Sequence, residues 1–411
     1  MSKVTKPVVL DETAKQVVAQ MQLQNEILTS LASGISYKPT SIKDVINVVR
    51  AGQASKVFQV GDQIVIPWKD ITTGQKYDVP LDITSFGNAT LQDGEELPTM
   101  RVQWHYATPF GVQFNNYQAF YVATEELPAG TYNIEIGTTW GDKGYCVAGK
   151  KYQFTLTKPV PAGGQLAGFR GAPDQAPSTW KVYSYNSKTA VDAIEIVSVT
   201  EGSSGTKLGV LKTGGDGKLN CLQRVAYGYN RWSQSALRQW LNSDKGVGEW
   251  WTPQNDYDRC PDQLATKAGF LTGFEEDFRE VLRPTKVVTA LNTITDSTSS
   301  NEVEPLETTY DKIYLPALEQ MFIKPELAGE GEFWDYWKRA SQRAEKMEWW
   351  KTYPQIRTFA IENHTSPQYV RLRSASRGNS CNAWSVDSSG GVYSYNYAVN
   401  ATRCAPACDL C

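Results

Sequence analysis

The pattern of apolar and polar positions begins as a helix. Residues 11–33 contain neither Pro nor Gly and run from a candidate N-cap, Asp11, to Gly34, which suits a C-terminal cap. Read as heptads, the segment places six residues at a and d positions: Ala14, Val18, Met21, Asn25, Leu28 and Ala32. Such a seam predicts self-association or docking to a partner. An amphipathic helix lying on its own domain is the alternative.

A strand-like alternation replaces the helical pattern from Ser41 to about Lys158. It is clearest in RVQWHY, QAFYVAT, TYNIEIG and KYQFTLT, which are punctuated by the turn-forming segments ATPFG and LPAG. The segment PVPAGGQLAG follows, and its Pro and Gly content predicts a domain boundary near residue 160. We therefore predict an all-β, sandwich-like module at residues 41–165.

Beyond this boundary, helical and extended segments are mixed. WKVYSY, AIEIVSV, KTYPQIRTFAI and YVRLRSA predict strands, whereas SQSALRQWLN and FEEDFREVL predict helices. Near the C-terminus small apolar residues alternate with Ser, Asn and Tyr, and Gly390-Gly391 predicts a turn. The expected fold class is α+β, with an N-terminal helix at 1–40, the β module, and a mixed third region at 166–411.

Length, charge and hydropathy narrow the possible functions. The 411 residues suffice for two or three domains, and the formal net charge is −3 with both signs interspersed. No apolar run approaches the roughly 18 residues of a membrane span, and MSKVTKPVVLDETAK lacks the apolar core of a signal peptide. We expect no nucleic-acid partner, no membrane insertion, and folding in a reducing cytoplasm, since seven cysteines do not suggest a disulfide framework.

Candidate catalytic chemistry is sparse. Cys404, Cys408 and Cys411 have the CxxxCxxC spacing of a radical-enzyme iron–sulfur site, but the chain before them lacks alternating βα units. A structural zinc site completed by Cys381 or His364 is an alternative, and packing of the cysteines in the core is the main interpretation. The two histidines, His105 and His364, lie far apart in sequence, so a catalytic triad that uses a histidine is not indicated. We predict no catalytic residue, no metal and no cofactor.

The C-terminal tail has an unusual composition. Residues 369–411 contain no Lys, Glu, Gln or Met and are rich in Ser, Asn, Tyr and Gly. These enriched types can all be reached from an AAC or AAT codon by changing its adenines, which indicates diversified codons on a constant frame. Tyr supplies contact area at low entropic cost, and Ser, Asn and Gly supply adaptable hydrogen bonds. The tail therefore favours a recognition surface, and a buried strand-rich tail is the alternative.

The segment YVRLRSASRGNSCNAWSVDSSGGVYSYNYAVNATRCAPAC resembles the variable region of the target proteins of diversity-generating retroelements, gut-phage type. NRWSQSALRQWLNS with EDFREVLRPT resembles the helical part before it, and VVRAGQASKVFQVGDQIVIPW resembles the upstream β module. The resemblance implies a C-type-lectin-like C-terminal domain of the formylglycine-generating-enzyme type. Its variable region would span about residues 373–403.

The resemblance also divides the tail into a constant frame and a displayed set. The frame positions are Arg373, Ser374, Ala383, Trp384, Val386, Gly390, Val392, Ala398, Ala401, Arg403, Ala405, Pro406 and Ala407. The displayed, ligand-binding positions are Ser376, Asn379, Ser380, Asn382, Ser385, Asp387, Tyr393, Ser394, Tyr395, Asn396, Tyr397, Asn400 and Thr402. For individual residues the alternatives are a turn at Asn379 or Asp387 and inward packing of Tyr393 or Tyr397.

The function implied is ligand display by a phage or prophage virion protein. Its partners would be a bacterial cell-surface ligand, either protein or glycan, and other virion proteins, with a homo-oligomer as the expected state. The protein would fold in the host cytoplasm and end in the virion. No EPN, QPD or WND triplet is present, so the lectin-like label does not imply sugar binding. The alternatives are a formylglycine-generating-enzyme-like oxidoreductase using Cys404 and Cys408 with a metal, and a structural capsid or tail component.

Overall fold

A computed structural model describes isolated positions between residues 17 and 29 and most of residues 38–411. Within the second range it omits 116–119, 124, 138, 140–143, 146, 163–164, 171–180, 186–192, 203–204, 212–221, 226–229, 254–259, 293–304, 343–344 and 379–381. The described part is mixed α+β, with mostly antiparallel sheets and few helices. This agrees with the expected class.

The helices are α1 (Ile42–Arg50), α2 (Ala54–Val57), α3 (Ala236–Leu241), α4 (Asp262–Ala265), α5 (Glu276–Val281) and α6 (Asp335–Ser341). The first ten strands are β1 (Gln63–Lys69), β2 (Lys76–Thr90), β3 (Glu96–Trp104), β4 (Phe120–Ala123), β5 (Gly130–Ile136), β6 (Lys151–Leu156), β7 (Gln165–Arg170), β8 (Lys181–Tyr185), β9 (Ala193–Glu201) and β10 (Thr206–Leu211). The other nine are β11 (Leu222–Val225), β12 (Thr285–Ala290), β13 (Leu306–Asp311), β14 (Thr358–Ala360), β15 (Asn363–Gln368), β16 (Val370–Ala375), β17 (Asn382–Val386), β18 (Val392–Tyr397) and β19 (Ala407–Leu410).

Local sequence accounts for the two expected helices, α3 and α5, and also for α1, which lies with α2 inside the region 41–165 that was wrongly predicted to be all-β. Ser235 is the N-cap of α3, and its hydroxyl accepts a hydrogen bond from Arg238 N. α5 carries acidic residues in its first turn, where they complement the helix dipole. α1 begins with a reciprocal capping box between Ser41 and Asp44. Among the helices of the described residues, none is both long enough and apolar enough to cross a membrane.

The C-terminal strand joins a sheet formed near the start of the chain. This antiparallel sheet has the order β1-β2-β3-β19, with Cys408 opposite Val102. These two parts of the chain also share a hydrophobic core. Trp68 of β1 and Trp104 of β3 pack their rings on Phe270 of the C-terminal region at centroid distances of 5.3 Å each. Trp240 packs on the same ring from α3 at 5.0 Å. Residues 42–104 and 232–411 therefore share one hydrophobic core.

A second sheet is inserted between these two parts of the core. Its eight strands have the order β10-β5-β6-β9-β8-β7-β4-β11, and all pairs are antiparallel except β10 with β5. The chain leaves the core after Asn115 and returns before α3 at an adjacent point, since Ala236 N donates to Asn115 Oδ1 at 2.9 Å and Leu237 N donates to Phe114 O at 3.1 Å. Close termini allow a unit to be inserted without disturbing its host.

The structure thus divides the chain differently from the expected boundary at residue 165. Strands β1 to β3 belong with the C-terminal region, whereas the sheet of β4 to β11 runs across the Pro- and Gly-rich segment. The reason is long-range pairing of β19 with β3, which local pattern does not encode. The C-terminal region also contains the three-stranded sheet β16-β17-β18 and two strand pairs, β12-β13 and β14-β15.

The expected N-terminal helix is described only in part. Val17, Val18, Met21 and Asn25 are among its helical positions, and all four side chains are exposed. Val18 is 40% and Met21 is 59% exposed, so the apolar seam is uncovered at these positions in the single chain. The other apolar seam positions, Ala14, Leu28 and Ala32, lie outside the described residues. Self-association through this helix stays a prediction.

Candidate ligand-binding surface

The base of the candidate surface is tied to the core by a buried arginine. Arg373 is completely buried on β16, where three residues bulge opposite Trp384 of β17. Its guanidinium donates to Leu315 O and Gln320 Oε1 at 2.6 Å each. The same group donates to Glu330 O at 2.7 Å and to Val288 O at 3.0 Å. Burial lowers the pKa of Arg373, and these acceptors satisfy its donors and fix the sheet on the core.

A second buried arginine holds the loop that follows β18. Arg371 Nη2 donates to Tyr397 O at 2.9 Å and to Asn400 O at 3.0 Å. It also reaches Thr402 Oγ1 at 3.0 Å and Asn396 Oδ1 at 3.2 Å. Burial lowers the pKa of Arg371 to about 9. Because one side chain binds three main-chain carbonyls and two side chains within residues 396–402, it sets the path of this segment.

Three tyrosines stand on the solvent side of β18. Tyr393, Tyr395 and Tyr397 are 46%, 66% and 51% exposed, whereas Val392 and Asn396 between and beside them are buried. This is the two-residue period of a strand with one covered face. The rings of Tyr393 and Tyr395 lie 5.7 Å apart at an interplanar angle of 61°. The three tyrosines therefore share the solvent side of the strand, and we call this set the tyrosine row.

A bulge and a tight turn shape the β17–β18 hairpin. Ala383 pairs with Asn396 and Ser385 with Tyr393, so two residues of β18 lie opposite Trp384. In the turn, Asp387 Oδ1 accepts hydrogen bonds from Ser389 N and Gly391 N at 2.8 Å each. Asp387 thus has a structural role in the turn, which was the alternative to its display.

A groove of about 430 Å³ runs beside the tyrosine row. Tyr369, Tyr393 and Tyr395 line one part of it, and the post-β18 loop and residue 111 line another. Gly111 lies so close to this loop that a Cβ placed there would be 2.6 Å from Ala401 O. Val112 N donates to Thr402 O at 2.9 Å beside it, so a segment from before the insertion forms one wall.

The arginine that also lines the groove is neutralised by an acidic neighbour. Arg403 Nη1 donates to Glu362 Oε2 at 2.8 Å, and Arg403 Nη2 lies 2.6 Å from Glu362 Oε1. Burial alone would raise the pKa of Glu362, but the hydrogen bonds from Arg403 hold that pKa below its usual value. Arg403 Nη1 also donates to Thr108 O at 3.0 Å, which fixes the pair against the wall.

The expected displayed set divides into exposed, partly exposed and buried members. Tyr393, Tyr395, Tyr397 and Asn400 are exposed, and Ser394 and Asp387 are partly exposed. Exposure is wrong for five positions, which are buried: Ser376, Asn382, Ser385, Asn396 and Thr402. Asn379 and Ser380 lie outside the described residues.

The five buried members have identifiable structural contacts. Asn396 and Thr402 bind Arg371, and Asn396 Nδ2 donates to Thr402 Oγ1 at 3.0 Å. Ser376 N donates to Asn382 O at 3.0 Å, which closes the β16–β17 connection. Ser385 lies opposite Tyr393 and is fully covered. At Asn396 and Thr402 the short polar side chains themselves satisfy buried hydrogen bonds, whereas the contact between Ser376 and Asn382 is made by main-chain groups.

The expected frame is buried with two exceptions. The buried members are Arg373, Ser374, Ala383, Trp384, Val386, Gly390, Val392, Ala398, Ala405, Pro406 and Ala407, as predicted. Arg403 is partly exposed because its head lies at the groove. Ala401 is exposed and lines the groove, so its assignment to the covered frame is wrong.

Sequence reasoning missed several exposed groups near this surface. Trp349 and Trp350 are 43% and 60% exposed, and Trp349 packs edge-on against Trp384 of β17 at 5.7 Å. Tyr369 is 49% exposed at the groove. Adjacent tryptophans within the polar segment KMEWWKTY were a signal for a surface aromatic pair. Gln368 and Gly111 gave no comparable signal.

The terminal cysteines pack in the core. Cys404, Cys408 and Cys411 are buried and are not disulfide-bonded. Burial raises the pKa of Cys404 to about 12, that of Cys411 to about 11, and that of Cys408 well above its usual value. Across the residues that the structure describes, no three His, Cys, Asp or Glu side chains gather where they could hold a metal ion. Cys381 lies outside that part.

The two histidines meet through one ring despite their sequence separation. Tyr106 stacks on His364 at a centroid distance of 4.1 Å and meets His105 edge-on at 4.7 Å. His105 Nδ1 lies 2.8 Å from Asp82 Oδ2, and this hydrogen bond raises the pKa of His105 although burial lowers it. These residues do not line the groove.

Comparison with known proteins places the surface within a recognised domain. The family model DUF6273, a domain of unknown function, matches residues 217–411. No curated protein and no solved structure matches the chain. The match begins before β11, and it therefore includes the tyrosine row and most of the groove but not strands β1 to β3, which complete the shared core. Over its C-terminal part, the chain is similar to this domain.

Proposed function

We propose that the protein is a virion-associated ligand-binding protein of a phage or prophage. Its C-terminal region would present the tyrosine row and the adjacent groove to a ligand on the bacterial surface. The observation that carries the proposal is the exposure of Tyr393, Tyr395 and Tyr397 on one face of β18, beside a groove of about 430 Å³. That volume is typical of a ligand site.

β18 has buried side chains that anchor it and exposed side chains that are free to contact a ligand, and this arrangement supports the proposed function. The side chains that alternate with the tyrosines anchor the strand, since Asn396 binds Arg371 and Val392 is buried. The exposed positions can therefore change without loss of core contacts, as surface substitutions are typically within about 0.5 kcal/mol of neutral. Exposed aromatics of this kind commonly provide the dominant contacts of an interface.

The finer part of the proposal concerns fold and diversification. A C-type-lectin-like arrangement would place variable side chains on a constant frame, and the buried arginines of β16 supply such a frame. Diversification would act on the codons of the exposed residues within about 373–403. A neighbouring reverse-transcriptase gene and a near-copy of the coding sequence for this region would support it, and the absence of both would count against it.

No observation on the described residues supports the alternative function as an oxidoreductase. Thiol chemistry and metal binding need an accessible thiolate, whereas Cys404 and Cys408 are buried and their pKa values are raised by burial. The structural-component alternative does not call for an exposed aromatic row.

Cell binding tests the proposal directly. Fluorescently labelled protein is incubated with a panel of gut bacterial strains and retention is measured by flow cytometry. Wild type is compared with the triple variant Tyr393→Ala, Tyr395→Ala, Tyr397→Ala and with Phe333→Ala, a control that removes an aromatic side chain 38% exposed elsewhere.

We expect strains that retain wild type and the control but lose the triple variant. Each tyrosine that acts as an anchor should contribute more than about 1 kcal/mol. Equal retention of wild type and triple variant on every strain, or retention on no strain, would refute the proposed function. Equal melting temperatures of the three proteins are required so that loss of binding is not loss of fold.

A further inference from the structure

The groove lies above a positive charge that has no acidic partner among the described residues. Arg371 is completely buried, and within the described part of the chain its guanidinium donates only to neutral oxygens of residues 396–402. The ring of Phe114 lies 5.9 Å from its central carbon and is also uncharged. A buried charge is ordinarily paired, because an unpaired one is costly.

The guanidinium is hydrogen-bonded to two of the residues that line the groove. Arg371 Nη2 lies 3.0 Å from Thr402 Oγ1 and 3.2 Å from Asn396 Oδ1, and both of these residues line the groove. Because Arg371 is completely buried, its interaction with a charge bound in the groove is screened less than that of an exposed arginine would be.

The groove also contains hydrogen-bond donors. Arg371 occupies the side-chain oxygens of Asn396 and Thr402 and the main-chain oxygen of Asn400, and Asn396 Nδ2 already donates to Thr402 Oγ1. Tyr369, Tyr393 and Tyr395 line the same groove, and their hydroxyls can donate hydrogen bonds to an oxyanion.

No described residue that lines the groove is acidic. The other cation at the wall, Arg403, is already paired with Glu362 through two contacts, so the net positive charge of the neighbourhood is that of Arg371. From these observations we propose that the groove binds a ligand that carries a carboxylate group. The inference rests on the proposed function and specifies the chemistry of the ligand at that site.

Two matched pairs of probes test the charge preference and its source. The first pair is D-glucuronate and neutral D-glucuronamide, and the second is N-acetylglutamate and neutral N-acetylglutamine. Saturation-transfer NMR with the full-length protein measures the affinity of each probe. We expect at least one acid to bind about tenfold more tightly than its own amide, since a favourable charge interaction at partly screened sites has this order of magnitude. The pair that shows the preference identifies a sugar-borne or a peptide-borne carboxylate.

Two nearly isosteric substitutions change the groove charge in opposite directions. Asn400→Asp adds a negative charge at an exposed position of the groove, and we expect it to weaken acid binding about tenfold with little effect on the amide. Glu362→Gln releases Arg403 and should strengthen acid binding. Asn88→Asp is the matched control, because it makes the same change at an exposed position of β2.

Three results would overturn the inference: no detectable binding of either acid, equal binding of acid and amide in both pairs, or the same effect of Asn400→Asp and Asn88→Asp. A different result would refute the proposed function: equal retention of wild type and the triple tyrosine variant on every bacterial strain. Loss of cell binding in the tyrosine variant together with equal acid and amide affinities would retain the proposed function and reject only the carboxylate.

Discussion

Four glycines allow two costs of a Gly→Ala substitution to be measured separately: the cost of a left-handed backbone and the cost of a steric clash at Cβ. Gly378 has open space around its Cβ position and no left-handed backbone, whereas Gly94 has open space but a φ of +91°. Gly111 has no left-handed backbone but a prospective Cβ contact of 2.6 Å to Ala401 O. Gly390 combines a φ of +86° with a severe clash against Tyr353 O. Replacement of each by Ala therefore forms a two-by-two design.

The expected costs follow from the contacts at each position. The left-handed backbone costs an L residue about 1–2 kcal/mol, which applies to Gly94→Ala and Gly390→Ala. At Gly111 the loop must move and weaken the two hydrogen bonds between Val112 and Thr402, at about 0.5–1.5 kcal/mol each. At Gly390 the clash also opens the 2.8 Å hydrogen bond from Tyr353 N, so the total is about 1.5–3.5 kcal/mol.

The unfolded chain contributes the same term to all four variants. Ala reduces the conformational freedom of the unfolded state, which stabilises the protein by about 0.4–1 kcal/mol at a compatible site. Gly378→Ala should therefore be neutral or slightly stabilising. The difference between each variant and Gly378→Ala isolates the native-state cost.

Amide hydrogen exchange is the suitable assay, because a chain with an inserted sheet need not unfold in one step. The opening free energy is measured for amides in the strands next to each glycine. We expect the order of destabilisation to begin with Gly390→Ala and end with Gly378→Ala. If Gly390→Ala costs no more than Gly94→Ala, the steric role assigned to the turn is refuted.

Three further predictions concern assembly, pH and thiols. Deletion of residues 1–37, which leaves the Ser41 cap of α1 intact, should lower the sedimentation coefficient from that of an oligomer to that of a monomer; an unchanged oligomeric state would exclude the helix as the assembly element. The pKa of His105 is raised by Asp82, so its stabilising contribution is complete below the unfolded pKa of about 6.5 and is lost as pH rises through the folded value. The melting temperature should thus fall more between about pH 6 and 8 in wild type than in His105→Gln, and equal slopes would contradict this. Cys404 is buried and its pKa is raised to about 12, so Cys404→Ala should leave the number of thiols that react with a disulfide reagent in the native protein unchanged; loss of one reactive thiol would show that the site is accessible.

Elements specified by local chemistry could be predicted from the sequence. Ser235 at the N-cap and the apolar spacing after it predict α3, and Gly390-Gly391 predicts the β17–β18 turn. The alternation of Tyr393, Tyr395 and Tyr397 with smaller residues predicts that the three share a strand face, and the structure places all three in solvent. These features depend on neighbours within a few residues, so the sequence contains the necessary information.

The tertiary structure alone decided which polar residues are buried and where the domains divide. Asn396, Thr402 and Asn400 are all short polar residues of the tail, and the sequence predicts display for each of them. Asn400 is exposed, whereas Asn396 and Thr402 are buried because Arg371 binds them from β16. The pairing of β19 with β3 joins residues separated by about three-quarters of the chain, and it moves the domain boundary. The same long-range packing brings Gly111 to the groove. Hydrogen bonds to buried groups and strand pairing across an inserted sheet depend on position in three dimensions, and one-dimensional periodicity does not report them.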